Sequence, residues 1–527
     1  MGALGMWRAA LQEQFAPGTR LSGIWATPSS ISPASSADIG SPKAAPCSPD
    51  SSLERQVTPL EDRHKISAFQ AGLVLFKAIV GPGILFLPAG VRNAGLLSAV
   101  ILSAVVGGTT TWCMVLLLDA AKVLRRRGKV VTDFSDIGEA AFGPWGRLAV
   151  DSAIVTSQLG ICTAYCVFVA ENLQSVIFEA YGGVVGSEGS GEPCGLPGVL
   201  GDKLLVYYII LALMPLLIPS TWVRQIRYFA CTNFIASGLV LLSMLFMLVS
   251  FAVRLHAGER APGELRLFKA SGTLVYFGTA VYAFEGISVL LPTERCMVDP
   301  GQSRLVVFGA MGIACSVQVL FASAAYWLYR EGTKSIITIS LSDGSALGGM
   351  LAVQLVQIAW VVEVFLTFPL QLFPAARLLE PACFSRGSYR RRHSGRKWTK
   401  NTIRAGLLFI CMAIALGGYS SVDNLVSLIG ALGCVPLAIV YPALFHWRVV
   451  FAARPDGEQL LLPPCSPDGG DAGESCGQQA AGPPLGSPCG DLVIGICGAL
   501  GVLLTTVIAL RSWAASHFEF QACVLRP

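Results

Sequence analysis

Residues 76–95 read FKAIVGPGILFLPAGVRNAG, an apolar stretch that is interrupted at its centre by Gly81-Pro82-Gly83. An apolar segment of about 20 residues lets an α-helix cross a bilayer, because each residue adds ~1.5 Å across ~30 Å of hydrocarbon. Proline lacks the amide N–H and clashes with the preceding turn, and glycine loosens the backbone. We therefore predict a membrane-spanning helix that is broken at these three residues; a plain proline kink is the alternative.

Ten more apolar segments follow in the chain of 527 residues, which is 53% hydrophobic and only 13% charged. A soluble domain carries about 25% charged residues. The predicted spans, numbered 1 to 11, cover residues 66–93, 96–120, 147–178, 203–220, 228–253, 270–293, 304–329, 347–376, 403–420, 423–447 and 490–511. A spanning segment must satisfy its own backbone hydrogen bonds, so helices are expected. The sequence predicts an all-α polytopic membrane protein.

Polar segments divide the chain into four parts. Residues 1–62 are rich in Ser and Pro and predict a disordered cytosolic tail, and residues 63–450 hold ten spans. Residues 451–489, rich in Pro, Gly and Asp, predict a disordered linker, and residues 490–527 hold the eleventh helix and a C-terminal tail. Such polar segments bury too little apolar surface to offset their ordering entropy.

Lysine and arginine are concentrated after span 2, in residues 122–129, and after span 8, in residues 386–404. Short cytoplasmic loops of membrane proteins are enriched in these residues, so the pattern predicts a cytosolic N-terminus. The basic residues at 254–269, between spans 5 and 6, run against this pattern. The net charge of +5 thus reflects membrane topology, and we predict no nucleic-acid partner.

Span 6 carries a second anomaly, in residues 277–297, which read FGTAVYAFEGISVLLPTERCM. Glu285 lies inside this apolar segment, where a carboxylate costs about 2.5–3.5 kcal/mol to insert. It is a candidate proton carrier, and a structural acceptor for broken backbone is an equal alternative. Gly286-Ile287 followed by Leu291-Pro292 repeats the order Gly83-Ile84 and Leu87-Pro88 of span 1. Matched interruptions in two halves are typical of inverted-repeat transporters.

The two interruptions predict a binding site for a zwitterion. Free N–H groups at a half-helix N-terminus bind a carboxylate, and free carbonyls at a C-terminus bind a cation. Pro82 has no N–H, so Gly81, Gly83 and Ile84 must supply the donors. The candidate substrate-binding residues on spans 1 and 6 are Val80, Gly81, Pro82, Gly83, Ile84, Tyr282, Phe284 and Gly286.

Spans 3 and 8 supply further polar candidates. Asp151, Gln158, Tyr165 and Asn172 recur every seven residues on span 3, close to one helical face. Hydrogen bonding between helices explains most of this stripe, and we add Gln158 and Tyr165 to the substrate-binding candidates. Glu363 on span 8 is a second candidate for proton coupling, or a structural partner.

Metal and enzyme sites are not indicated. Most of the 16 cysteines lie in apolar segments, where they behave as small hydrophobes. The histidines fall in or near predicted loops: His64, His256, His393, His446 and His517. An enzyme would need a His or carboxylate pair or a metal cluster, so we predict no metal, no cofactor and no enzymatic activity.

Four segments carry a resemblance to a known family: residues 76–95 and 277–297, then SQLGICTAYCVFVAENL at 157–173 and LTFPLQLFPA at 366–375. Together they resemble the amino acid/auxin permease family, in its proton-coupled and vacuolar amino acid transporter branches. The resemblance implies a five-plus-five inverted-repeat (LeuT-like) core with an eleventh helix, substrate at the breaks of spans 1 and 6, and Glu285 as the family's acid. Pro82 departs from the small or hydroxyl residue often found between the glycines.

The expected function is therefore secondary active transport of neutral amino acids by alternating access, driven by a proton gradient. A membrane amino-acid sensor with the same fold, or a sodium-coupled carrier, is the alternative. The expected location is a vacuolar or other acidic-organelle membrane, or the plasma membrane. The sequence indicates an amino acid and the lipid bilayer as partners and identifies no protein partner.

Overall fold

The structure is a computed structural model that describes residues 65–180, 196–222, 229–343, 349–382, 393–452 and 486–524. The predicted N-terminal tail and residues 453–485 of the predicted linker lie outside these residues. Span 1 consists of Ala68–Ile79, Pro82–Leu85 and Leu87–Ala94. The helices of spans 2 to 5 are Leu96–Arg126, Phe134–Ala180, Leu196–Thr221 and Phe229–His256. Span 6 consists of Ala270–Ala283, Ile287–Val289 and Leu290–Cys296.

The remaining spans are also helical. Spans 7, 8 and 9 are Ser303–Tyr329, Gly349–Ala382 and His393–Gly418, and span 11 is Pro488–Val524. Span 10 alternates α- and π-helical turns over Val422–Ile429, Gly430–Cys434, Pro436–Val440, Tyr441–His446 and Trp447–Ala452. Nine helices in the described ranges are long and apolar enough to cross a membrane, and Ala68–Ile79 and Leu205–Thr221 are shorter apolar helices. The prediction of an all-α polytopic membrane protein is confirmed.

The spans pack in two groups that match a five-plus-five repeat. Spans 1, 2, 6 and 7, the first two of each half, contact one another, as do spans 3, 4, 8 and 9. Spans 5 and 10, the last of each half, contact both groups, and span 11 packs on spans 6 and 10. Equivalent members of the two halves thus occupy equivalent places, as inverted repeats require.

Glycines let span 10 pack closely between spans 3 and 6. A Cβ atom on Gly430 would lie 2.0 Å from the carbonyl oxygen of Gly278 on span 6. On the other side, a Cβ atom on Gly433 would lie 2.6 Å from the Cα atom of Ser157 on span 3. Without a hydrophobic driving force between helices in lipid, such small residues favour association by allowing close backbone contact. This contact fixes span 10 beside the break of span 6.

A large departure from the predicted boundaries is in span 3, whose helix begins at Phe134 and not near residue 147. The helical backbone is interrupted at Phe142 and at Gly143, where φ is +67°. Residues 134–142 include Ser135, Asp136 and Glu139, so this first part is too polar for a hydropathy-based prediction to include. A short helix, Ile337–Ser340, was also absent from the prediction.

Ion pairs join the spans at one end of the bundle, which we call the Arg92 end. Arg92 Nη2 lies 2.6 Å from Asp423 Oδ2, and Asn93 Nδ2 donates to the same oxygen at 3.0 Å. Arg92 also donates to the carbonyl oxygen of Thr333. The end of span 1 is therefore held to the start of span 10, which closes this end beside the breaks.

A second set of contacts joins the opposite end, which we call the Arg125 end. Arg125 Nη1 lies 3.0 and 2.9 Å from the two carboxylate oxygens of Glu294, so the end of span 2 is held to the end of span 6. The amide of Ile66 donates to the carbonyl of Cys296 at 2.7 Å, which holds the start of span 1 there too. These contacts lie within one of the two packing groups.

His446 contradicts the expectation that the histidines fall in or near loops. It lies in span 10, fully buried, and its Nδ1 is 2.6 Å from Asp491 Oδ2 of span 11. Its Nε2 is 3.4 Å from Asp119 Oδ2 of span 2, and Asp119 also accepts from Arg304 at 2.9 Å. The contact between spans 2, 10 and 11 depends on residues far apart in sequence, which hydropathy does not reveal.

Candidate functional site

The first half of the site is the break in span 1. The helix Ala68–Ile79 ends where Val80 leaves helical geometry, with φ −90° and ψ 82°. Gly81 is extended, a single 3₁₀ segment runs over Pro82–Leu85, and the helix resumes at Leu87. The span is therefore broken, as Gly81-Pro82-Gly83 predicts, and is not merely kinked.

The second half is the break in span 6. The helix Ala270–Ala283 ends at Phe284, and Gly286 has φ −177° and ψ 5° before a 3₁₀ turn begins at Ile287. Glu285 lies in this break, and its carboxylate accepts hydrogen bonds from the backbone and side chain of Ser288. Its Oε1 is buried and has no hydrogen-bond partner. The carboxyl group therefore retains free acceptor capacity at the break.

The two breaks lie directly against each other. A Cβ atom on Gly83 would lie 3.1 Å from the Cα atom of Ala283, and one on Gly286 would lie 2.7 Å from Ile79 Cγ1. At Gly81, by contrast, a Cβ atom would meet no atom within 4 Å. Each glycine-rich break thus contacts the helix end of the other span, and open space adjoins Gly81.

Aromatic side chains surround the junction. The Phe86 ring lies edge-to-face with Tyr282 and with Phe168 of span 3, both at 6.2 Å between centroids. Tyr165 is buried and interacts electrostatically with Tyr282, Glu285 and Glu363. The structure therefore brings Tyr165 near the span 6 candidates, as expected for a face that looks into the bundle.

A narrow apolar cavity lies beside the junction, between spans 3, 4 and 8. Its lining residues are Tyr165, Cys166, Val169, Leu213, Leu217, Val364, Phe365 and Phe368. Of the predicted site residues it contains Tyr165 alone. Its walls are apolar, so it does not suit a charged group.

The other polar residues on this face of span 3, Asp151, Gln158 and Asn172, differ in their hydrogen bonds. Gln158 is buried and its Oε1 has no partner. Asn172 accepts from Thr338 Oγ1 at 2.6 Å and donates to the Phe168 carbonyl, and Asp151 accepts from Ser135 at 2.5 Å. Hydrogen bonding within the protein accounts for Asn172 and Asp151, whereas Gln158 retains unused acceptor capacity.

Glu363 of span 8 is the second buried acid of the site. It is 5% exposed, and its Oε2 has no hydrogen-bond partner. Thr367 donates to the Glu363 carbonyl at 3.0 Å and lies 3.5 Å from its Oε1. Lys77 of span 1 interacts electrostatically with Glu363. Glu363 is therefore a buried acid with unused acceptor capacity.

The sequence interpretation missed Lys77 and Gln318. Lys77 precedes the first break by four residues, and Gln318 is a buried amide in the otherwise apolar centre of span 7. The signal for both was present, since a polar side chain inside a span marks a functional candidate. Gln318 stands in an uninterrupted span, and Lys77 belongs to the interrupted segment but precedes the break itself.

Comparisons with known proteins identify the family of the chain. A family model described as "Transmembrane amino acid transporter protein" matches residues 64–458. Vacuolar amino acid transporter 4 of Saccharomyces cerevisiae is 29% identical over 398 residues, which cover 71% of this chain and 52% of the relative. Amino acid transporter AVT3A of Arabidopsis thaliana is 31% identical over 378 residues, which cover 71% of this chain and 79% of the relative.

The extent of these matches differs among relatives. The chain spans about half the length of the yeast relatives. It covers 52% and 56% of the length of two relatives from Saccharomyces cerevisiae, and 57% of the length of one from Schizosaccharomyces pombe. A solved structure titled "Inward facing conformation of Mhp1" matches with TM-score 0.51 and 14% identity, over 73% of this chain and 77% of that one. At that identity the likeness concerns the fold alone. The relatives are named as transporters, in agreement with the prediction that this chain is not an enzyme.

Proposed function

Because the chain belongs to the transmembrane amino acid transporter family, in the vacuolar branch of the amino acid/auxin permeases, we propose that it is a secondary active carrier of neutral amino acids. The observation that supports this most strongly is the direct contact of the two broken spans at Gly83 and Ala283. Broken backbone inside a membrane is tolerated only where it is buried in protein or lines a cavity. Here the two breaks lie against each other, and Pro82, Ile84 and Gly286 are buried.

The proposed substrate position follows from the polarity of the half-helices. The carbonyl end of Ala68–Ile79 and that of Ala270–Ala283 attract the substrate's ammonium group, and the N–H groups that follow the breaks attract its carboxylate. Substrate enters on the Gly81 side, where open space adjoins the backbone. Its side chain is directed toward the apolar cavity near Tyr165 and Phe368.

We propose that protons drive transport, with no cofactor. Glu285 is the first candidate carrier, because one of its oxygens is buried without a partner inside the break. Glu363 is the second, because its Oε2 is also unpartnered and Lys77 interacts with it. A carboxyl group that takes up a proton from one side and releases it to the other links proton flow to the conformational change.

Alternating access requires that the two ends of the bundle open in turn. At the Arg92 end, the pair Arg92–Asp423 joins span 1 to span 10 and must separate before substrate passes there. At the Arg125 end, the contact between Ile66 and Cys296 must separate for the first helix of span 1 to move. The proposed location is a vacuolar or other acidic-organelle membrane, with the N-terminus in the cytosol.

The test is uptake of radiolabelled amino acids by proteoliposomes that contain the purified chain. A panel of the neutral amino acids is measured with an imposed proton gradient and, separately, with a sodium gradient. We expect uptake of neutral amino acids that the proton gradient stimulates and the sodium gradient does not. Vesicles containing Gly83→Leu are the control, because the larger side chain cannot fit against Ala283.

Each alternative has its own signature in this experiment. Stimulation by sodium alone would identify a sodium-coupled carrier. Thermal stabilisation by amino acids with no flux under either gradient would identify a sensor. Uptake by Gly83→Leu equal to that of the wild type would show that the breaks are not the substrate site.

A further inference from the structure

Gln318 is a buried amide at the centre of span 7, with none of its surface exposed. Its Nε2 donates to the Ile79 carbonyl at 3.2 Å and to the Ala283 carbonyl at 3.4 Å. These carbonyls belong to the last residues of the first helices of spans 1 and 6. A single side chain therefore contacts both broken helices at their C-terminal ends.

The helices stop at these carbonyls, so both lose their helical donors; the Ile79 carbonyl keeps one backbone bond, from the Gly81 amide at 3.2 Å. In a continuous α-helix, Ile79 would accept from the amide of Gly83, and Ala283 from that of Ile287. The backbone leaves the helical conformation at Val80 in span 1 and at Phe284 in span 6. Carbonyl groups at a helix C-terminus must find other partners, and the amide of Gln318 supplies one to each helix.

The orientation of the Gln318 amide follows from these partners. The reverse orientation would place its oxygen against two carbonyl oxygens and lose both hydrogen bonds, so Nε2 must face Ile79 and Ala283. The Oε1 atom is then buried without a hydrogen-bond partner. An unsatisfied buried acceptor is unfavourable, and it lies on a side chain that bonds the two helix ends proposed to attract the substrate's ammonium group.

We propose that Gln318 is a substrate-binding residue whose amide nitrogen holds the ends of both broken helices together and whose Oε1 accepts a hydrogen bond from the ammonium group of the bound amino acid. The proposal rests on the proposed function. An ammonium group carries three donors, and the negative ends of two helices favour a cation at this point. Substrate binding then satisfies the free Oε1 acceptor of Gln318.

Gln357 of span 8 offers a matched control. It is also fully buried, donates from Nε2 to the Thr338 carbonyl at 3.1 Å and to Ser175 Oγ at 3.2 Å, and has an unpartnered Oε1. It contacts neither broken helix through these bonds. Leucine is similar in size to glutamine, so each substitution removes a buried amide without a large change in volume. A difference in apparent KM between the two variants therefore reports the position of the amide and not the general cost of removing one.

The experiment measures proteoliposome uptake of an equimolar mixture of radiolabelled neutral amino acids, with their N-trimethylated forms as competitors. Gln318→Leu is expected to raise the apparent KM about tenfold or more, because the substrate loses one charge-assisted hydrogen bond. It should also reduce discrimination against the trimethylated forms, which have no donors. Gln357→Leu should leave both quantities close to those of the wild type. An equal KM in the two leucine variants would overturn the proposal.

A second variant separates the two roles of Gln318. Gln318→Glu keeps an acceptor oxygen but replaces the amide nitrogen, so at neutral pH a carboxylate faces the carbonyls of Ile79 and Ala283. We expect its melting temperature to fall at neutral pH and to recover as the pH decreases, because a protonated carboxyl group donates again. If the melting temperature of Gln318→Glu depends on pH no more strongly than that of the wild type, Gln318 does not hold the two helix ends together.

A failure of the proposed function gives a distinct result. If the wild type transports no amino acid, thermal stabilisation by the same mixture is compared between the wild type, Gln318→Leu and Gln357→Leu. Stabilisation lost only in Gln318→Leu supports the binding role without transport. Equal stabilisation of the three proteins, or none in the wild type, would overturn it.

Discussion

Gly83 of span 1 and Ala283 of span 6 lie so close together that a Cβ atom on Gly83 would be 3.1 Å from the Ala283 Cα atom. The backbone of one broken span therefore touches the helix end of the other with no side chain between them. A change at either residue must alter both breaks. The two interruptions form one structural unit, whose free backbone groups are fixed relative to each other.

We predict that Gly83→Ala impairs transport, because the new methyl group must displace the backbone at Ala283. Overpacking of this kind costs about 1–3 kcal/mol, so melting temperature and maximal uptake should both fall. Gly81→Ala is the matched variant, since its Cβ atom meets nothing within 4 Å. It should melt like the wild type and still transport poorly, because the methyl group occupies the proposed substrate space. Normal uptake by Gly81→Ala would remove Gly81 from the site.

We predict that Glu285→Gln uncouples transport from protons. Glutamine keeps the size of the side chain and can accept a hydrogen bond from Ser288. Its amide group, however, does not take up or release a proton at the pH of the transport assay. Uptake driven by a proton gradient should be lost, whereas exchange of labelled for unlabelled amino acid should persist. Glu363→Gln, tested in parallel, assigns the role. If Glu363→Gln alone loses the proton-driven uptake, Glu363 is the carrier and Glu285 is a structural acceptor.

We predict that His446→Ala destabilises the protein. The substitution leaves Asp491 buried without its partner at 2.6 Å and opens a cavity between spans 2, 10 and 11. Removal of one member of a buried charged pair costs about 3–5 kcal/mol, which should appear as a lower melting temperature in detergent. The exposed His256 is the control, and His256→Ala should melt like the wild type. Equal melting of both variants would contradict a stabilising role for His446.

We predict a similar effect at Glu380. This residue is 6% exposed and lies 2.8 Å from Arg404 Nε, while Arg404 also donates to the Thr221 carbonyl and so joins spans 4, 8 and 9. Glu380→Gln should lower the melting temperature, because a buried guanidinium loses its counter-charge. Glu139→Gln removes the partner of Arg147 at an exposed pair and should change stability by about 0–1 kcal/mol. A smaller effect at Glu380 than at Glu139 would refute this assignment.

Much of the fold could be predicted from the sequence, because the features that determine it are local. The broken span 1 follows from the backbone chemistry of Gly81, Pro82 and Gly83, which needs no distant partner. The break of span 6 was visible as Glu285 and Gly286 in an apolar segment. The spans themselves follow from apolar length alone.

The missed features depend on contacts between distant residues. Gln318 is 239 residues from Ile79, to which it donates, and a single polar residue in an apolar helix does not indicate its partner. The helix of span 10 continues beyond His446 as π-helical turns, and His446 contacts Asp491 of span 11. Neither feature can be read from hydropathy, so the sequence predicts His446 to lie near a loop. The roles of the site residues are still predictions, since they concern a substrate and a proton.

The contact between His446 and Asp491 also has a consequence for protein engineering. The chain leaves span 10 at Ala452 and enters span 11 at Pro488, and these helices are joined near those points by a buried pair. The entropy of closing a loop rises slowly with length, by about 0.6 kcal/mol for each doubling. A fluorescent reporter or a protease site placed between spans 10 and 11 should therefore have little effect on the packing of these two helices. A chain cut between them should retain span 11 through its contacts with spans 6 and 10.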